Sequence, residues 1–190
     1  MSFALVTVRL PVNHMRGARQ IVCYGTVWVC PSDASGEIIP QRGPNALTPT
    51  FSTPGLDSSF ISNCYWIIQG TTFGAVVTNW DQLTEGAPAS GIRRIAGSSH
   101  RSSRTYHLYE FTSELCQRLA TLSAERIDAI ARTWYALRGV SSQPGETAAQ
   151  VQHRADVISQ LAVLASDAVS RDARLILRVD YRTRRSAAAA

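Results

Sequence analysis

The stretch "TAAQVQHRADVISQLAVLASDAVS" (147–170) is followed almost at once by "ARLILRVDY" (173–181), and this succession constrains the fold more than any other feature of the chain. Val151, Ala155, Ile158, Leu161, Ala162, Ala165 and Val169 recur at helical spacing and form an apolar stripe along one long helix. The segment after it is a compact apolar run between charged flanks, which reads as a buried strand. A helix stripe and a strand so close together must share one core, which calls for a layer of helices on a sheet.

The rest of the chain supplies partners for both layers. "SELCQRLATL" and "SAERIDAIARTWYAL" predict two shorter helices capped by Ser113 and Ser123, and Ile127, Ile130, Ala131, Trp134 and Leu137 share one face of the second. "TYHLYEF" (105–111) alternates as a strand, with His107, Tyr109 and Phe111 on one face and Tyr106, Leu108 and Glu110 on the other. "FALVTVRL" and "QIVCYGTVWVC" predict two N-terminal strands, with Gly25 as a bulge or bend. "FISNCYWIIQG" is ambiguous in period and is read as a helix, with Asp57 or Ser58 as its N-cap and Gly70 as its stop. "FGAVVTNW" predicts a further strand or short buried segment. Residues 31–59 are rich in Pro, Gly, Ser and Thr and predict a long mobile loop. The expected fold is a single α+β domain over residues 1–186, a mostly antiparallel sheet covered by the C-terminal helices. Residues 187–190 are an alanine tail outside it.

Composition bounds the function classes. The chain has 190 residues, a hydrophobic fraction of 45% and no apolar run long enough to span a bilayer, so no membrane role is expected. The first residues lack a basic region ahead of an apolar run, so a cytoplasmic location is expected. The four cysteines lie mostly among apolar neighbours with no zinc-ligand spacing, which predicts buried free thiols rather than disulfides or metal ligands. The net charge is +5 and every one of the 19 basic residues is arginine. Arginine keeps its charge and presents a planar fork of donors that fits phosphate and carboxylate.

Those arginines concentrate in two places. "RRIAGSSHRSSR" contains Arg93, Arg94, His100, Arg101 and Arg104 with no carboxylate, and reads as a loop whose cations nothing nearby neutralises. Arg182, Arg184 and Arg185 close the chain ahead of the alanines. Brought together, the two groups would make one electropositive binding face for an acidic protein surface or a nucleic acid.

The sequence offers little catalytic chemistry. There is no GxSxG, no GxGxxG, and without lysine no P-loop, so no nucleotide cofactor is expected. Metal chemistry would have to use His100 with His107, or Glu110 with Glu114, and no metal is expected. His107 and Glu110 would form an acid/base pair only if the strand ended between them. "LSAERIDAIA" has the pattern of the first helix of a helix-turn-helix, but "RTWYALRGV" continues the helix where a tight turn should fall.

From about Val77 onward, "SELCQRLATLSAERIDAIARTW", the second long helix and the closing strand resemble a class of small bacterial α/β proteins. "GLDSSFISNCYWIIQG" is similar to a segment of the YfbM-like family. The resemblance covers about half the chain and implies a compact cytoplasmic protein without assigned activity, of a style that includes immunity proteins. The expected function is therefore a non-catalytic binding protein, immunity-like, that covers an acidic or phosphate-binding partner surface. The alternatives are a nucleic-acid binder using the arginine loop and tail, and an enzyme on a phosphorylated or nucleotide substrate.

Overall fold

The computed structural model describes residues 19–31, 44, 48–70, 91–97, 105–133 and 148–185. Five strands form one antiparallel sheet: β1 (Arg19–Cys30), β2 (Thr50–Pro54), β3 (Ile92–Gly97), β4 (Thr105–Phe111) and β5 (Arg174–Arg185). Their order across the sheet is β2-β1-β5-β4-β3. The helices among the described residues are α1 (Ser58–Gln69), α2 (Ser113–Ala120), α3 (Ala124–Thr133) and α4 (Ala148–Ser170). The protein is thus α+β, as its periodicities predict.

Local chemistry sets the helix ends. Asp57 caps α1 by accepting a 2.8 Å hydrogen bond from the Phe60 amide, and Gly70 ends it in the left-handed region at φ 72°. Thr112, one residue before the expected Ser113, caps α2 by accepting from the Leu115 amide at 3.2 Å. Ser123 caps α3 through the Arg126 amide at 3.2 Å. The turn from α4 into β5 places Asp172 at φ 50°, while the Ala173 amide donates to the Ala168 carbonyl at 2.8 Å. Helix and strand are therefore tied at a short, fixed corner.

The central strands β1 and β5 run side by side for 12 residues, from Arg19↔Arg185 to Cys30↔Arg174. Val27, Val29, Leu175, Leu177, Val179, Tyr109 and Phe111 face the helices and join Ile130, Ile158, Leu161 and Ala165 in the main core. The opposite face carries a second buried cluster of Trp28, Leu108 and Ile176. Both faces of β5 are thus apolar at its centre, which explains the uninterrupted Leu175–Ile176–Leu177 run.

Several expectations change. Residues 31–59 are not one mobile loop: β2 and the start of α1 lie within them. The chain after β2 crosses β1 so closely that a Cβ on Gly25 would lie 2.2 Å from the Leu56 carbonyl oxygen; Gly25 permits this crossing. Arg93 and Arg94 lie on edge strand β3 and not in a loop. On α4, Ala155, Ile158, Leu161 and Ala165 of the expected stripe are buried and Val151 and Ala162 partly so, but Val169 is 46% exposed, and Arg154, Val157, Leu164 and Ala168 are buried as well. The buried face is wider than the expected stripe and turned away from Val169, because a 3.6-residue turn lets several neighbouring rows match the same apolar residues. His100, Arg101, Arg104, Trp134, "FALVTVRL", "FGAVVTNW" and the alanine tail lie outside the described residues.

Candidate anion-binding face of the sheet

The outer face of the sheet, turned away from the helices, divides into two ends. At one end the register Arg93↔Glu110 brings a β3 arginine beside a β4 carboxylate. Glu110 is only 5% exposed, and each of its oxygens accepts a charge-assisted hydrogen bond, from Arg93 on one side and Arg174 of β5 on the other. Burial is the largest influence on this carboxyl and opposes its ionisation, but the two arginines together outweigh burial and hold its pKa below the usual carboxylate range. Arg93 is therefore neutralised across the strand pair, contrary to the expectation from a sequence stretch without acids. Sequence adjacency could not show it, because Glu110 is 17 residues away. Arg94 is exposed on the next position of β3, and among the described residues it has no carboxylate at ion-pair distance.

At the other end, Tyr24 of β1 and Tyr106 of β4 both pair across the ladder with Asp180 of β5. Asp180 accepts from Arg178 through both oxygens at 2.9 Å. The Arg178 guanidinium lies 4.7 Å from the centre of the Tyr106 ring, so the carboxylate and the ring together fix its plane. Tyr24 is 42% exposed. Ser52 and Thr26 join hydroxyls at 3.0 Å beside this row.

Beyond that row, the described pairing of β4 with β5 reaches Thr105↔Tyr181, and that of β1 with β5 continues from Val22↔Arg182 to Arg19↔Arg185. There Arg19 is the direct partner of Arg185, and Gln20 of Arg184. Arg182 and Arg184 also fall on the alternate positions of β5 that begin with Arg174 and Arg178. This alternation is legible in the sequence once the strand is known, yet Arg174, Arg178, Tyr24 and Tyr106 were not among the expected binding residues.

The helix side of the same strands holds the groups closest to catalytic chemistry. The Tyr109 hydroxyl and His107 Nδ1 are 3.3 Å apart, the His107 and Tyr181 rings are 5.3 Å apart, and Cys23 Sγ lies 3.9 Å from Asp57 Oδ2. Burial, reinforced by the negative charge of Asp57, pushes the Cys23 thiol up to about 11, and burial also raises the Tyr181 phenol. Cys23 is therefore a protonated thiol at neutral pH and a poor nucleophile. Burial likewise pushes Cys64 up to about 12 and Cys116 to about 11. β4 runs unbroken through Thr105–Phe111, which places His107 and Glu110 on opposite faces and separates the candidate acid/base pair. Glu110 and Glu114 do not share a helix, since one is on β4 and the other on α2. Among the described residues no three His, Cys, Asp or Glu side chains are placed to hold a metal, and no helix is long and apolar enough to cross a membrane.

No protein-family model matches the chain, and no similar curated protein or solved structure is found at a significant level.

Proposed function

We propose that this protein is a non-catalytic binding protein that engages an anionic macromolecule through the arginines towards the end of β5. The observation that carries the reading is positional: Arg182 and Arg184 fall on the same alternate positions of β5 as Arg174 and Arg178, which are themselves paired with Glu110 and Asp180. Arginine is the side chain best suited to grip phosphate or carboxylate. The raised thiol of Cys23 and the separation of His107 from Glu110 support binding over catalysis. An immunity-like role, in which the arginines cover an acidic surface of a partner protein, is one form of this function.

Heparin, a generic polyanion, tests the reading. Serine at Arg182, Arg184 and Arg185 together is expected to lower the salt concentration at which the protein leaves a heparin column. It should also flatten the salt dependence of binding, because fewer guanidinium groups displace fewer counterions from the polyanion. Elution at an unchanged salt concentration would remove β5 from the binding surface.

A further inference from the structure

On the helix side of the sheet, edge strand β3 departs from a regular ladder. Its register with β4 shifts between Arg94 and Ala96, so that Arg94 pairs with Tyr109 and Gly97 with His107. An irregularity of this kind re-aims the side chains beside it. The Arg94 guanidinium lies over Gly97, where a Cβ would stand 2.7 Å from Arg94 Nη2 and 3.0 Å from His107 Cδ2. Gly97 does not have positive φ, so the backbone does not demand glycine here; the space above it does. Arg94 is exposed and, among the described residues, has no carboxylate at ion-pair distance. His107 is held from its other side, with Nδ1 3.3 Å from the Tyr109 hydroxyl and its ring 5.3 Å from that of Tyr181. When Tyr109 donates to Nδ1, the imidazole proton sits on Nε2. Cδ2 is bonded to Nε2, so the ring edge that carries this donor lies on the side of the guanidinium.

We infer that Arg94 and His107, brought together over Gly97, form a binding site for a phosphate group, free or on a small ester. The site goes beyond the anionic-macromolecule reading, because Arg94 pairs with Tyr109 on the helix side while Arg93 and Arg174 meet Glu110 on the outer face. A phosphate has two oxygens for the guanidinium fork and a third for the imidazole N–H. A carboxylate has no third oxygen. The Tyr181 phenol, raised by burial, is a neutral group beside the site at physiological pH. Asp57, whose charge also reaches Tyr181, sits with Cys23 of β1, two strands away from His107 of β4, and accepts from the Phe60 amide. Its charge is thus set apart from the site and already engaged.

The test is NMR titration of the His107 imidazole in the whole chain, with inorganic phosphate, phenyl phosphate and acetate each added at constant pH and ionic strength. The His107 signal is assigned by its loss in His107→Gln. Phosphate is expected to shift it saturably, and acetate to bind about tenfold more weakly, the worth of one further hydrogen bond to a charged group. Tighter binding of phenyl phosphate than of inorganic phosphate identifies an ester as the ligand, and equal affinities identify the free ion; either result supports the site. Arg94→Ser should weaken phosphate binding about 10- to 100-fold, the loss of a charge-assisted pair. Arg94→Lys keeps the charge without the fork and should weaken it less than Arg94→Ser. Gly97→Ala should also weaken it, because the methyl displaces the guanidinium, while the melting temperature stays within a few degrees of the parent, since the first atom the methyl meets is the end of a flexible side chain. Absence of a saturable phosphate shift refutes the site, as does acetate binding equally tightly or a phosphate shift that survives both Arg94→Ser and Gly97→Ala unchanged. Serine at Arg182, Arg184 and Arg185 together should leave the titration unaltered, so failure of the site and failure of the β5 reading are told apart; loss of the phosphate shift in that variant would assign the anion to β5 and refute the site.

Discussion

The two faces of β5 share an apolar centre, with Ile176 buried on the outer side, but differ on either side of it. Leu175, Leu177 and Val179 are fully buried against the helices, while Arg174, Arg178 and Asp180 on the alternate positions hold ion pairs near solvent. The helix side is governed by apolar area and packing, which tolerate little change. The outer side is governed by charges whose geometry is set by register and whose energies solvent screens. One strand thus secures the fold with one set of side chains and carries charged groups, part of the proposed surface, on the other.

The sharpest way to break this contrast is a cavity on the helix side. Leu177→Ala should cost about 2–5 kcal/mol, read by chemical denaturation, because Leu177 is completely buried in the main cluster. A loss under about 1 kcal/mol would mean that this face is less tightly packed than its burial indicates. Gly25→Ala comes next, at about 1–3 kcal/mol, since the new methyl would meet the Leu56 carbonyl at 2.2 Å and the crossing chain would have to shift. A variant as stable as the parent would show that residues 54–57 move freely over β1.

On the outer face the expected effects are smaller, and Glu110 is where the two regimes meet. Arg93→Ala combined with Arg174→Ala leaves a nearly buried carboxylate without its cations and should cost about 2 kcal/mol, below the usual range for a buried pair because both arginines are themselves well exposed. The same site predicts a pH dependence. The folded-state pKa of Glu110 is depressed, so its stabilisation is present above the unfolded value near 4.3 and is lost as pH falls through the lower folded value. Melting temperatures below about pH 4.5 should therefore fall less steeply in Glu110→Gln than in the parent. Equal slopes would show that the two arginines do not favour the ionised carboxyl. Smallest of all, Arg178→Ala should change stability by less than about 1 kcal/mol, because its pair with Asp180 is partly exposed. A larger loss would make the Tyr106–Arg178–Asp180 stack a structural support instead of a surface feature.

Much of the scaffold is legible in the sequence. "TYHLYEF" coincides with β4, Asp57 and Gly70 bound α1, Ser123 caps α3, and the long helix and closing strand follow each other as expected. Each of these rests on local chemistry: a side-chain oxygen near free amides, a glycine able to take positive φ, or a period of 3.6 or 2. The binding face is legible only in part. Arg182, Arg184 and Arg185 lie on a strand of the proposed surface, but Arg93 is committed to Glu110, and the expected loop opens as an edge strand.

The sequence by itself determined β1, β4, β5, the four helices, the caps of α1 and α3 and the α+β class, because these depend on neighbours within a few positions along the chain. It also determined that every fixed positive side chain is a guanidinium. Only the tertiary structure decided which arginines pair with carboxylates and that Arg178, one of these, also lies over the Tyr106 ring. Tyr24 and Tyr106 are 82 positions apart and come to one row because each pairs with Asp180 across the ladder. Register is a property of the assembled sheet, and a shift of one residue would exchange the two faces of every strand.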